Sequence, residues 1–138
     1  MGLFDFFRSK KRREDEEEGM ALLTALTAHR KAMRADSVDS DSLPTGYGQF
    51  GLCVTNPIPT KNVLGSNTYL AALRTIENRT VEASRIGSTS APDEVTTAMI
   101  DIYQMRSGGN EIAMLYVCPY HKRNSAKAPE GFVLMGET

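Results

Sequence analysis

The sequence has no tryptophan, only two cysteines and two histidines, and no excess of charge of either sign. Each scarcity narrows what the chain can be. Cys53 and Cys118 are too few for the dense disulfide frameworks of small secreted domains, so they are expected as reduced, partly buried thiols in a cytoplasmic protein. Together with His29 and His121 they exhaust the histidine and cysteine ligands for a structural zinc ion, and no metal is expected. No apolar run approaches the roughly 18–20 residues of a membrane-spanning helix. The 16 basic and 17 acidic residues leave a formal net charge of -1. There is thus no global basic field for nucleic acid, which is not the expected partner. Gly46, Gly48 and Gly51 match the spacing G-x-G-x-x-G, but they follow a Ser/Asp-rich stretch and not a strand. The dinucleotide-binding context fails, and no cofactor is expected.

What remains is a chain of 138 residues and 15.2 kDa with 41% apolar and 24% charged residues and a mean hydropathy of -0.33. That is the composition and length of one globular domain with a core of its own. Residues 1–13 stand apart from it: MGLFDFF is strongly apolar, and Arg8, Lys10, Lys11, Arg12 and Arg13 follow. An apolar plug beside a basic patch is the two-signal logic of reversible contact with a membrane surface. Five acidic residues, Glu14 to Glu18, come next and offset the patch. They also separate the basic run from the apolar stretch Met20–Ala28, which argues against a secretory signal. Gly2 fits a myristoylation motif, but Phe6 stands where that motif needs Ser or Thr.

Residues 14–36 read as a helix, with Leu22, Leu26, His29 and Met33 on one narrow stripe. That stripe can pack on the rest of the chain or pair two copies into a homo-oligomer. Residues 37–49 read as a linker or loop. Residues 50–138 read as a single α+β domain: an antiparallel meander of three to four strands with a short helix on one face. Pro57 and Pro59 confine Phe50–Thr60 to an extended or edge position. Ser66 or Asn67 is a plausible cap for a helix presenting Tyr69, Leu70 and Leu73. Strands are expected at Thr80–Ser88, Val95–Met105 and Glu111–Cys118, with Ala98, Ile100 and Ile102 on one face of the second and Met99, Asp101 and Tyr103 on the other. Ser107-Gly108-Gly109-Asn110 marks a hairpin, and Phe132–Met135 is a candidate edge strand.

The end of the third strand reads Tyr120-His121-Lys122-Arg123, followed by Ser125-Ala126-Lys127-Ala128-Pro129-Glu130-Gly131-Phe132. This resembles the C-terminal signature of a family of small uncharacterised bacterial proteins: Tyr-His, basic residues, then Ser-x-Lys-Ala-Pro-Glu/Lys-Gly-Phe. Phe50-Gly51 with Asn56-Pro57-Ile58, and Arg85-Ile86-Gly87-Ser88, resemble two further motifs of the same family. Gln49 before Phe50 and Cys53-Val54-Thr55 before Asn56 depart from its pattern. The resemblance covers roughly Tyr47 to Leu134. It implies a shared domain, makes Tyr120, His121, Lys127, Pro129 and Gly131 candidates for a shared surface or turn, and brings no activity with it.

Two constellations carry the chemistry that can be read from the residues. Cys118 and His121 have the C-x-x-H spacing, weak evidence for a nucleophile and its base because a catalytic dyad also needs aim and a third orienting group. The basic loop 121–127, with Lys122, Arg123 and Lys127 beside Tyr116, Tyr120 and His121, is expected first as a solvated loop; with Arg85 on an adjacent strand it could instead hold an anion or RNA phosphate. The reading that fits the whole sequence is a non-enzymatic binding or protein-interaction module, with Arg85, Tyr120, His121, Lys122, Arg123 and Lys127 as candidate binding residues. The alternatives are a small enzyme using Cys118 and His121, and an anion- or nucleic-acid-binding domain using the loop.

Overall fold

The computed structural model describes residues 37–136. The expected apolar/basic segment 1–13 and helix 14–36 lie outside them. The described elements are β1 (Ile58–Pro59), α1 (Asn62–Ala71), β2 (Leu73–Thr75), β3 (Glu82–Ser90), β4 (Met99–Ser107), β5 (Asn110–Cys118) and β6 (Phe132–Leu134). Among the described residues the class is α+β, with one short helix and a four-stranded sheet of order β1-β5-β4-β3.

The meander expected from the pattern forms β3, β4 and β5, all antiparallel. Gly108 and Gly109 turn the β4–β5 hairpin at φ 60° and 81°, values that cost a glycine little. The fourth strand is β1, and it pairs parallel: Ile58 lies opposite Val117 and Pro59 opposite Cys118. The two prolines hold it at the edge, because Pro59 has no N–H to give a further strand. Phe132–Leu134 therefore does not extend the main sheet. It pairs antiparallel with β2 in a separate two-stranded sheet, which takes Leu73–Thr75 out of the expected helix.

The helix also starts earlier than a cap at Ser66 or Asn67 would place it. Asn62 opens it in the left-handed region at φ 57°, and its Oδ1 accepts the Gly65 N–H at 3.0 Å. Asparagine tolerates that backbone because its short amide satisfies a first-turn donor. Ser66 is fully buried inside the helix, its hydroxyl 2.7 Å from that of Thr60. β4 starts at Met99 and not at Val95, since Val95 and Thr96 both donate their N–H to the Pro92 carbonyl in a turn. Val95 keeps the buried side chain that its β-branched pattern suggested.

Both faces of the sheet's β1 end are covered. One face packs Ile58, Tyr103, Met105, Leu115 and Val117 against Tyr69 and Leu70 of α1, with Leu73, Phe50 and Phe132. The other packs Ile100 and Cys118 against Leu43, Ala91, Val95 and Ala98. This explains why β5 reads as continuously apolar: alternate residues serve different clusters. The stretch expected as a linker or loop has neither helix nor strand, yet it is built into the domain through buried Leu43 and a 2.6 Å hydrogen bond from the Thr45 hydroxyl to the Val95 carbonyl. Register shifts interrupt β3 at Ile86 and the β4–β5 ladder beside Ile112. Among the described residues, no helix is long and apolar enough to cross a membrane.

Candidate functional site

The chain leaving β5 runs back along β1 and the start of α1, and its backbone is stitched there. Thr60 donates its N–H to the Cys118 carbonyl, Asn62 donates to Pro119, His121 to Thr60 and Ser125 to Pro59, all at 2.9–3.0 Å. Tyr120 bridges to Lys61. The loop 121–127 is thereby fixed against the first turn of α1.

Its side chains divide into two sets. The first set builds the loop. His121 is 5% exposed, and its Nδ1 accepts the Val38 N–H at 3.0 Å. Lys122 returns its own N–H to the Val38 carbonyl. Arg123 donates from Nε to Asp39 at 2.7 Å and from Nη1 to Asp41 at 2.8 Å. Asp41 also accepts the Ala126 N–H at 2.8 Å, and its carbonyl accepts the Ser125 hydroxyl at 2.6 Å. The Ala126 N–H first, and the Arg123 guanidinium second, hold the Asp41 carboxyl below its ordinary range. Asn124 accepts the Lys61 N–H and donates to the Gly65 carbonyl, both at 2.9 Å. Gly65 has to be glycine for this approach, since a Cβ there would lie 2.6 Å from the Asn124 oxygen. The Lys127 carbonyl accepts the Tyr69 hydroxyl at 2.5 Å, and its ammonium stands 4.9 Å from the centre of the Phe50 ring. Burial pushes the Tyr69 hydroxyl pKa upward, so it stays a donor.

The second set faces outward. A shallow depression of about 540 Å³ lies between α1 and the loop, lined by Lys61, Leu64, Thr68, Lys122, Arg123 and Asn124 among others. Leu64 is 75% exposed and its neighbour Val63 58%. Among the described residues, neither Lys61 nor Lys122 takes part in an ion pair. The first turn of α1 carries no acidic residue. The polarity of that turn is inverted: two aliphatic side chains point out, and the Ser66 hydroxyl points in.

The expected site residues are therefore partly united. Tyr120, His121, Lys122, Arg123 and Lys127 share one loop, but Arg123 is engaged by two aspartates. Arg85 belongs to a different place, the sheet, where it pairs with Asp101 at 3.2 Å. Sequence reasoning missed Lys61, Val63, Leu64 and Asn124 because nothing in their spacing announces that the loop after β5 returns to them. It also missed Asp39 and Asp41, which lie in a stretch whose Ser/Asp/Gly composition signals only a loop.

Cys118 is fully buried in the second cluster. With its thiol out of reach of solvent and the His121 Nδ1 committed to a backbone amide, this surrounding does not present a nucleophile to a substrate. Cys53 is partly buried, its sulfur 3.3 Å from both the Thr55 hydroxyl and the Gln49 carbonyl, and neither cysteine is in a disulfide. Among the described residues, no three His, Cys, Asp or Glu side chains gather as a metal site. A second exposed apolar group lies on the sheet: Ile86 at the β3 bulge is 51% exposed, Ile112 43% and Met114 37%. No protein-family model matches the chain, and neither a curated protein nor a solved structure matches it.

Proposed function

We propose that the chain is a non-enzymatic binding module whose contact surface is the first turn of α1 together with the outward side of loop 120–123. The observation that carries this reading is the inverted polarity of the turn: Leu64 stands exposed between the uncompensated cations Lys61 and Lys122, and Val63 is exposed in the same turn. Exposing an aliphatic side chain forgoes about 1.5–3 kcal/mol of burial, and single exposed leucines are ordinary. Here two adjacent ones sit on a rigid platform, fixed by Asn124 from the loop and by the Ser66–Thr60 hydroxyl pair from beneath. The same loop carries the Tyr-His…Lys-Ala-Pro-Glu-Gly-Phe signature. In this reading the signature specifies the platform: His121, Lys127 and Pro129 hold the backbone, and Tyr120 and Lys122 remain on the surface.

A photo-reactive residue placed at position 64 of the full chain, compared with one at position 86, tests the assignment in the native cell. Adducts at position 64 and none at 86 are expected. Adducts at 86 alone would move the contact surface to the sheet.

A further inference from the structure

We propose that the ligand of this surface is an anionic lipid bilayer, touched reversibly by Val63 and Leu64 as an apolar wedge and by Lys61 and Lys122 as headgroup contacts. The proposal rests on the binding-surface reading above and adds the chemistry of the partner.

Three features point to a lipid surface rather than a protein groove. The first is shape. Leu64 is the most exposed large apolar side chain among the described residues, and Val63 is beside it. They project from a helix whose inward side is already occupied by Ser66, Tyr69 and Leu70, so they cannot turn in. A protruding aliphatic pair suits shallow insertion at the headgroup boundary. A standard protein interface needs roughly 800 Å² from each partner, with an apolar centre, and Leu64 is the one large apolar side chain among the residues that line this depression.

The second is charge. Lys61, Lys122 and Arg123 line the depression beside Leu64, while Asp39 and Asp41 are the acidic groups on the same loop system. Both aspartates are bound to Arg123 and leave the two lysines uncompensated, a local balance of +1. The end of the helix that points here is its positive one, with no carboxylate in the first turn to offset it. Basic side chains beside an apolar insertion are what an anionic leaflet attracts.

The third is the half-exposed Tyr120, 37% exposed and bridged to Lys61. Tyrosine, apolar in its ring and polar at its tip, favours the membrane–water boundary.

The test is co-sedimentation of the full chain with vesicles of phosphatidylcholine alone or with about a third phosphatidylserine. The wild type is expected to bind the anionic vesicles, and less so as salt is raised. Leu64→Asp and the double variant Lys61→Glu/Lys122→Glu are each expected to lower that binding about fivefold or more. Ile86→Asp, an acidic substitution at an exposed apolar residue of the sheet, is expected to leave it unchanged. All four sites are exposed, and thermal melts alongside report whether each variant folds. Equal binding by every variant would assign the contact to another part of the chain, residues 1–13 included, and overturn the proposal. Absence of wild-type binding to anionic vesicles would overturn it too. If position 64 then still yields a protein adduct in the cell, the surface stands and only its lipid ligand falls; if it yields none, both readings fall.

Discussion

Asn124 acts at a single residue as the joint between loop and helix. One amide satisfies an N–H donor at the start of α1 and a carbonyl one turn on. If the amide is removed, the Lys61 N–H has only water to bond, while the Gly65 carbonyl keeps its place in the helical ladder. Asn124→Ala is therefore expected to cost about 1–2 kcal/mol in a urea melt, whereas Lys122→Ala should stay within about 0.5 kcal/mol, because only the backbone of Lys122 is bonded. Asp41 belongs to the same scale. Its folded-state carboxyl titrates below its ordinary value, so its contribution is fully present above about pH 4 and is lost as the pH falls through the folded value. Melting midpoints measured from pH 6 downward should fall less steeply in Asp41→Asn than in the wild type. Gly131 was legible at this scale. Pro129 and Gly131 bracket Glu130 as the residues of a tight turn do, and Gly131 stands at φ 90°, where glycine alone costs little. The role of Arg123 was not legible, because its partners lie more than eighty residues away in sequence.

Between residue and molecule, the elements show where pattern reading succeeds. The meander was legible because alternation, β-branching and a Gly-Gly turn agree, and Asp101 and Tyr103 do share a face as the alternation required. The start of α1 was not. Its cap is an asparagine in the left-handed region, and Lys61-Asn62-Val63-Leu64-Gly65 carries the usual signs of a loop. Tyr69 and Leu70 gave the right buried face, but Leu73 left it to open β2. The bulges were equally invisible, since an extra residue in one strand changes no periodicity that a short window can detect. They have a measurable consequence. Ile86 and Ile112 gain little burial, so Ile86→Ser and Ile112→Ser should each shift stability by about 0.5 kcal/mol or less. Ile58→Ala, in a two-residue strand that looks expendable, should cost about 2–5 kcal/mol because Ile58 is fully buried. Chemical denaturation of the three variants checks the contrast, and equal losses would mean that the sheet's outer face is covered in solution.

At the scale of the molecule, the part of the site that was legible and the part that was not follow from one fact. The loop after β5 holds the segment 38–41 on one side and the start of α1 on the other. Its basic residues looked like a surface, yet His121 and Arg123 are largely scaffold. The proposed surface joins Lys61 and Leu64 to Lys122, a juxtaposition that only the fold makes. Amide hydrogen exchange of the full chain, with and without the membranes and extract of its native cell, measures that surface directly. The account predicts slowed exchange in residues 61–68 and 120–124, with β3 and β5 unchanged. Protection confined to the exposed faces of β3 and β5 around Ile86, Ile112 and Met114, with 61–68 unaffected, would contradict it.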